Sequence, residues 1–454
     1  MRGRILKEIE DEAVSLLSKL IRIDTTNPPG NETAAANFLA DDLSKEGFEC
    51  EIIESAPGRG NVVTRLKETA PKPSLLLLSH LDVVPANPEE WSVDPFGGVV
   101  KDGFVWGRGA LDMKSMTVIE VLTMKLLKRN NVKLKGDVVL AATADEEKGG
   151  FAGVDYLLRN HRSKIFADYV LNEGGGLAIP TQNRNVFTVQ TGEKGILWLR
   201  IRAKGVPGHG STPDVADNAI IRMNKVIERL ANFRPPIVIV PTMKLFLNEI
   251  VTEDASLREH ISSLLANPAQ GDRALDELAK TDKLLAEEIR PRIRMTITPT
   301  MIHGGVKENV IPSECETTFD CRVLPGHTTN QALTLIKELL TDVGMEKLTF
   351  EIIQANEPSE SRFDTPLYNA ITDVLREFEP TCGVTPMLMT GGTDSRFFRL
   401  EGSVCYGFHP MRPEIASGKI IKREHGVDER ISVENLVFGT SVLYDVVKRF
   451  MSLE

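Results

Sequence analysis

Three strand-like, mainly apolar runs, each ending directly in acidic or imidazole side chains, constrain this chain more than any other feature. SLLLLS at 74–79 runs into His80-Leu81-Asp82, VVLAATA at 138–144 into Asp145-Glu146-Glu147, and ADYVLN at 167–172 into Glu173 and three glycines. A strand that is apolar at every position has both faces covered, as in a sheet flanked by helices. Helical spacing at 5–21, from about 32 to 47 and after Asp112 alternates with strand-like runs at 49–53 and 61–66. That alternation predicts an α/β domain with a mixed, mainly parallel sheet. Such sheets place ligands beyond the carboxyl ends of their strands, which is where these polar residues fall.

The pattern changes after Gly174. NVFTVQTGEKGILWLRIRAKG predicts a hairpin, with Leu197, Leu199 and Ile201 alternating against Trp198, Arg200 and Arg202. Helices at about 217–232 and 328–341, with strands near 293–302, 314–323 and 348–353, predict an inserted α+β unit. The charged helical stretch 254–290 reads as an embellishment of it. From about 357 the α/β pattern resumes, with apolar runs at 384–389 and 403–408 and an amphipathic helix near 432–450. The expected organisation is a catalytic domain in two parts, 1–190 and 356–454, interrupted by a lid and dimerisation domain at 191–355. A length of 454 residues suits two cores.

Charge and composition exclude other classes. Lys+Arg 54 against Asp+Glu 64 leaves a net −10, which disfavours broad nucleic-acid binding but not a small cationic pocket. Charges at Lys7, Glu8, Glu10, Asp11 and Glu12 break any signal-peptide core, and no membrane-spanning apolar run stands out. The five cysteines are scattered, with no CxxC, and read as free thiols. The expected location is the cytoplasm, with no nucleic-acid or membrane partner.

The polar segments carry the chemistry. His80 and Asp82 fall on the same side of a strand end, and a carboxylate beside an imidazole orients it for a metal. A turn histidine with an acidic neighbour is the alternative. Asp112, in WGRGALDMK, starts a helix and could be an N-cap alone. The Gly-x-Gly there is an incomplete dinucleotide fingerprint, and an acid at that helix start would repel a pyrophosphate. Glu146 and Glu147 suit either solvent or a cation. Glu173 follows a third strand, and His425 stands in a late Glu-His-Gly. Two histidines and three acids exceed one tetrahedral site and suit two divalent ions sharing a carboxylate. The N/O donor set favours zinc, with cobalt and manganese as alternatives.

SHLDVVP, WGRGALDMKS, ADEEKGG, NEGGG, NVIP, GGTDSR and EHGVDE occur in this order, and DTTNPPGNE precedes them at 24–32. Together they resemble the dinuclear zinc hydrolase family of aminoacylase, acetylornithine deacetylase, succinyl-diaminopimelate desuccinylase and bacterial glutamate carboxypeptidase. The resemblance covers essentially the whole chain. It implies that His80 and Glu173 hold one ion, Glu147 and His425 the other, and that Asp112 bridges them. It makes Glu146 the general base and Asp82 the residue that orients His80, and it places a cis peptide after Asp112. It also implies a homodimer in which His209 of VPGHGS completes the partner's active site. Asn309 and Arg322 would hold a substrate carboxylate, the guanidinium bidentately. Gly391-Gly392-Thr393 would contact the substrate through backbone and hydroxyl. The implied reaction is hydrolysis of an N-acyl amino acid or a short peptide with a free C-terminus. A dedicated biosynthetic deacylase is an alternative within the enzyme class. A non-catalytic binding protein on the same fold would be expected to lose ligands or base, and all are present. His409 reads as a packed or capping histidine, and Trp91 and Phe96 as packing residues.

Overall fold

All six residues of the strand Leu75–His80 are buried. Successive side chains point to opposite faces of a sheet, and here Leu75 and Leu77 enter one hydrophobic core while Leu76 and Leu78 enter another. The strand Val138–Thr143 is buried throughout in the same way. The computed structural model describes residues 2–67, 73–251, 254–416, 419–420 and 424–453, without the side chains of 2–8, 415–416 and 419–420. Ile5 and Leu6, which the sequence reading places on the apolar face of the first helix, therefore lie outside the described side chains.

The chain divides into two compact units. The first comprises Met1–Thr191, Ser361–Met387 and Thr393–Glu454; the second comprises Gly192–Glu360 with Leu388–Gly392. In the first, a mixed sheet runs in the order Cys50–Glu54, Gly60–Leu66, Val138–Thr143, Leu75–His80, Tyr169–Asn172, Val404–Gly407 and Asn185–Glu193. The four strands from Val138–Thr143 to Val404–Gly407 are parallel, and pairing turns antiparallel on either side of them. The sheet is thus parallel at its centre, where the polar strand ends lie. Helices Ala219–Asn232 and Thr329–Leu339 bury Met223, Val226 and Ile336 in the core of the second unit. That core lies against an antiparallel sheet ordered Thr296–Gly304, Glu314–Val323, Gly195–Lys204, Leu348–Asn356.

The expected hairpin at 185–204 does not form. Asn185–Glu193 joins the large sheet beside Val404–Gly407, whereas Gly195–Lys204 pairs with Glu314–Val323 and Leu348–Asn356. Only Lys194 separates the two strands, too little chain for the two-residue turn of the tightest common hairpins. The alternation itself holds: Leu197, Leu199 and Ile201 are buried, and Trp198 is exposed. The stretch 254–290 is helical, as Ala255–Ala266, Gly271–Thr281 and Lys283–Ile289. Among the described residues no helix is long and apolar enough to cross a membrane.

Candidate metal centre

The first unit gathers the acidic and imidazole groups that end its central strands. His80 Nε2 lies 3.0 Å from Asp112 Oδ1 and 3.7 Å from Glu173 Oε2. His425 Nε2 lies 3.0 Å from Asp112 Oδ2 and 3.3 Å from Glu147 Oε1. The five residues therefore form two groups of three that share Asp112, one carboxylate oxygen facing each. Ligands around a tetrahedral ion with bonds of about 2.0–2.2 Å stand about 3.3–3.6 Å apart; the observed separations of 3.0 to 3.7 Å lie around that range, so small shifts would let each group close on a divalent ion.

The local chemistry supports the same fit. His80 Nδ1 lies 2.9 Å from the Asp82 carbonyl oxygen. A carbonyl only accepts, so Nδ1 carries the hydrogen and Nε2 of the neutral ring is left with its lone pair toward Asp112 and Glu173. Burial alone would lower the His80 pKa, but Glu173, Asp112 and Asp82 hold it well above its ordinary value. Burial and the Glu173 carboxylate push Glu146 well above the carboxylate range. Burial likewise raises Glu173. Crowded acids around an imidazole are relieved by a cation, which is what this donor set offers to hold.

Several elements fix these side chains. Asp82 is fully buried. It accepts from Asn27 Nδ2 at 2.8 Å and from the backbone N–H of Glu146 and Glu147 at 3.1 and 3.2 Å, so one carboxylate orients both the histidine and the paired glutamates. Burial pushes Asp82 up, but His80 and these donors bring it net below its usual pKa. Burial also pushes Asp112 up; His425 and His80 outweigh it and hold that carboxyl below the usual range. The Asp112–Met113 peptide is cis. Glu429, wholly buried, accepts from Arg108 Nη1 at 2.6 Å and from the N–H groups of Gly109, Leu111 and Asp112 at 3.2, 2.7 and 3.0 Å. Arg108 also donates to the His425 carbonyl at 3.3 Å. Behind Glu173, a Cβ at Gly175 would stand 2.3 Å from the Gly407 carbonyl oxygen, so only glycine allows that loop its close approach.

Asn27, Arg108 and Glu429 carry no role in the sequence reading, although they lie inside the motif segments. Asp394, in GGTDSR, belongs with them. It is buried, neither carboxylate oxygen has a hydrogen bond among the described residues, and burial raises it to about 7. His409 is buried, with Nε2 3.5 Å from Ser115 Oγ, and burial lowers it to about 4; it packs. Arg108 lies over the buried Trp91 ring.

In the second unit His209 and Asn309 meet. Gly208–His209 pairs with Val310–Ile311, and Gly210 N–H donates to the Asn309 carbonyl at 2.8 Å. The Ser211 N–H donates to His209 Nδ1 at 3.2 Å, so the neutral ring carries its hydrogen on Nε2. Arg322 gives Nε and Nη2 to Asp320 at 2.7 and 3.0 Å and Nη1 to the Thr390 carbonyl at 3.4 Å. Its side edge is thus taken, while Nη1 and Nη2 each keep a second hydrogen. Gly392 closes the segment Leu388–Gly392 of this unit. Thr393, in the first unit, is buried, and its hydroxyl accepts from Ser395 N–H at 3.2 Å.

Residues 76–449 match the model of peptidase family M20/M25/M40. The chain is 27% identical over 455 residues to aminoacylase-1 of Sus scrofa, covering 98% of this chain and 97% of that one. It is 30% identical over 412 residues to aminoacylase-1A of Rattus norvegicus, covering 89% and 88%. The solved structure of an M20 family metallo-carboxypeptidase from Sulfolobus solfataricus superposes with a TM-score of 0.70 at 20% identity, covering 97% of this chain and 99% of that one. By the extent of the family match and the fold it shares, the chain belongs to peptidase family M20/M25/M40.

Proposed function

We propose that this protein is a metal-dependent hydrolase that cleaves the amide bond of N-acyl amino acids, or of short peptides with a free C-terminal carboxylate. The observation that carries the reading is the pair of ligand groups joined at Asp112, with Glu146 next to Glu147 in the chain. The names of its aminoacylase relatives support the same substrate class. His80 and Glu173 would hold one divalent ion, Glu147 and His425 the other, and Asp112 both. Zinc suits these donors best, with cobalt and manganese as alternatives. Such ions supply Lewis acidity, polarising a carbonyl oxygen and lowering the pKa of water.

The chain's own residues do the rest. Glu146 is the general base, and its raised pKa suits a group that takes a proton from water and returns it to the leaving nitrogen. Asp82 orients His80 and, through the amides of Glu146 and Glu147, keeps base and ligand in fixed relation. His209 donates from Nε2 to the oxyanion that develops at the scissile carbonyl. The guanidinium of Arg322, with Asn309, holds the substrate's carboxylate. Gly392 and Thr393 contact the substrate through backbone and hydroxyl.

His209 serves the partner subunit of a homodimer in this reading. Its support is an apolar surface on the second unit: Ile220 and Ile221 on helix Ala219–Asn232, and Met301 and Ile302 on the edge strand Thr296–Gly304, are all exposed. Cys50, Cys315, Cys321 and Cys382, which are free thiols, fit a reducing compartment and support the cytoplasm as the location.

The test is a panel of N-acyl amino acids, dipeptides and their C-terminal amides, assayed with zinc, cobalt or manganese and after chelation. Free acids should be hydrolysed about tenfold or more faster than the matched amides, which lack the charge Arg322 reads, and chelation should abolish turnover. Metal-loaded protein that cleaves none of these amide bonds would refute the reading.

A further inference from the structure

Three successive carbonyl oxygens in the segment Leu388–Gly392 are each held by a different residue of the second unit. Leu388 O accepts from Arg292 Nε at 3.1 Å, Met389 O from the backbone N–H of Lys194 at 3.0 Å, and Thr390 O from Arg322 Nη1 at 3.4 Å. The next two residues are Gly391 and Gly392, which have no side chain to limit their backbone. The three anchored carbonyls are therefore what restrains the glycine pair from its N-terminal side.

Two of these anchors lead into the helical embellishment. Arg292 ends the short turn Arg290–Arg292 that follows helix Lys283–Ile289. Its Nη1 donates back to that helix, to the Glu288 carbonyl at 2.5 Å and the Glu288 carboxylate at 2.6 Å, while Nε reaches Leu388. The Lys194 ammonium is buried and donates to the carbonyls of Pro291 and Arg294, both at 2.8 Å. Arg294 is in turn tied to Asp272 of helix Gly271–Thr281 at 2.6 Å. Burial, and then the neighbouring Arg322, lower Lys194 to about 7. An ammonium kept so far from water is tolerated because it is hydrogen-bonded on two sides. One planar guanidinium that serves a helix end and a loop carbonyl together does what an ammonium on a flexible stem does not.

We propose that Arg292 is a positioning residue, through which helix Lys283–Ile289 fixes the Leu388–Gly392 segment and thereby sets how tightly the Gly391-Gly392 backbone holds the substrate. This assignment rests on the proposed contact between Gly392 and the substrate.

The test uses full-length, metal-loaded protein with three substitutions. Arg292→Ala removes the link. Arg292→Lys keeps the charge without the fork. Arg290→Ala, in the same turn, removes only the ion pairs to Asp276 and Asp272. Arg292→Ala should raise KM for an N-acetyl amino acid about tenfold with kcat within about twofold, the signature of lost uniform binding. Its segment 388–393 should exchange amide hydrogens about tenfold faster than in wild type, as expected where local opening becomes easier. Arg292→Lys should fall between, and Arg290→Ala should match wild type in both readouts. Unchanged exchange at 388–393 in Arg292→Ala overturns the proposal, as does a fall in kcat at constant KM or an equal effect of Arg290→Ala. If Arg292→Ala does not fold, Arg292→Lys decides by the same two readouts. Wild-type protein inert toward every N-acyl amino acid refutes the proposed function instead, and the exchange rates then decide the positioning role alone.

Discussion

The two ligand groups meet at one aspartate but are built differently. The His80 side chain is 2% exposed, at the end of a strand buried on both faces, with its Nδ1 on the Asp82 carbonyl. The His425 side chain is 53% exposed and sits in a turn with φ of 59°, a left-handed conformation that non-glycine residues rarely adopt. One half of the centre is organised by the core, and the other is completed by a late, half-open turn. Preorganised ligands lose less freedom on binding, so the His80 position should hold its ion more tightly and the His425 position should exchange it.

Removing the shared element should have the largest effect. Asp112→Ala takes a ligand from both groups, so bound metal and activity should fall together, by more than the roughly 10²–10⁴-fold that loss of a general base costs. Elemental analysis beside kcat/KM checks this, and full metal content in that variant would break the picture of a shared ligand. Glu146→Gln comes next: kcat should drop about 10²–10⁴-fold with metal content unchanged.

The asymmetry is read more directly by stripping the ions. His425→Ala should retain about one ion per chain, whereas Asp82→Asn, which takes away the carboxylate 3.4 Å from His80 Nδ1 but leaves the carbonyl bond, should weaken binding at the His80 position by about tenfold. Titration of wild type with a chelator should release metal in two steps; a single step for both ions would refute the inequality.

The smallest effect is on pH. In metal-free protein, the hydrogen bonds that His425 donates to Asp112 and then Glu147 raise it to about 10, against an ordinary value near 6.5. A raised histidine contributes stability that is fully present below about pH 6.5 and is lost as pH rises through about 10. The melting temperature of metal-free wild type should therefore fall across that window more than that of His425→Ala. Metal must displace the same proton, so affinity at this position should rise over the same range.

The strands and the residues at their ends were legible because local pattern encodes them: an apolar run at every position demands two covered faces, and an acid directly after it has one edge to occupy. The partner of a strand is a different kind of information. Nothing within NVFTVQTGEKGILWLRIRAKG says that its two halves join different sheets, because that choice is made by Val404–Gly407 and Glu314–Val323, far along the chain. The same holds for the supporting polar groups. Arg322 reads from sequence as a guanidinium for a substrate carboxylate, and the pairing with Asp320, two residues away on the same face of the strand, is not part of that reading. Arg108 and Glu429 stand 321 positions apart, and each alone is an ordinary charged residue.

That last pairing governs when in the life of a nascent chain the centre can exist. The loop that presents Asp112 is held by a carboxylate near the far end of the sequence, and so is the arginine that steadies the His425 carbonyl. A ribosome that has delivered His80, Glu147 and Glu173 with the strands that lead to them has made half of a sheet and none of a finished site. Only when residue 429 has emerged do Asp112 and His425 gain their support, so a product cut short before that residue should be inert.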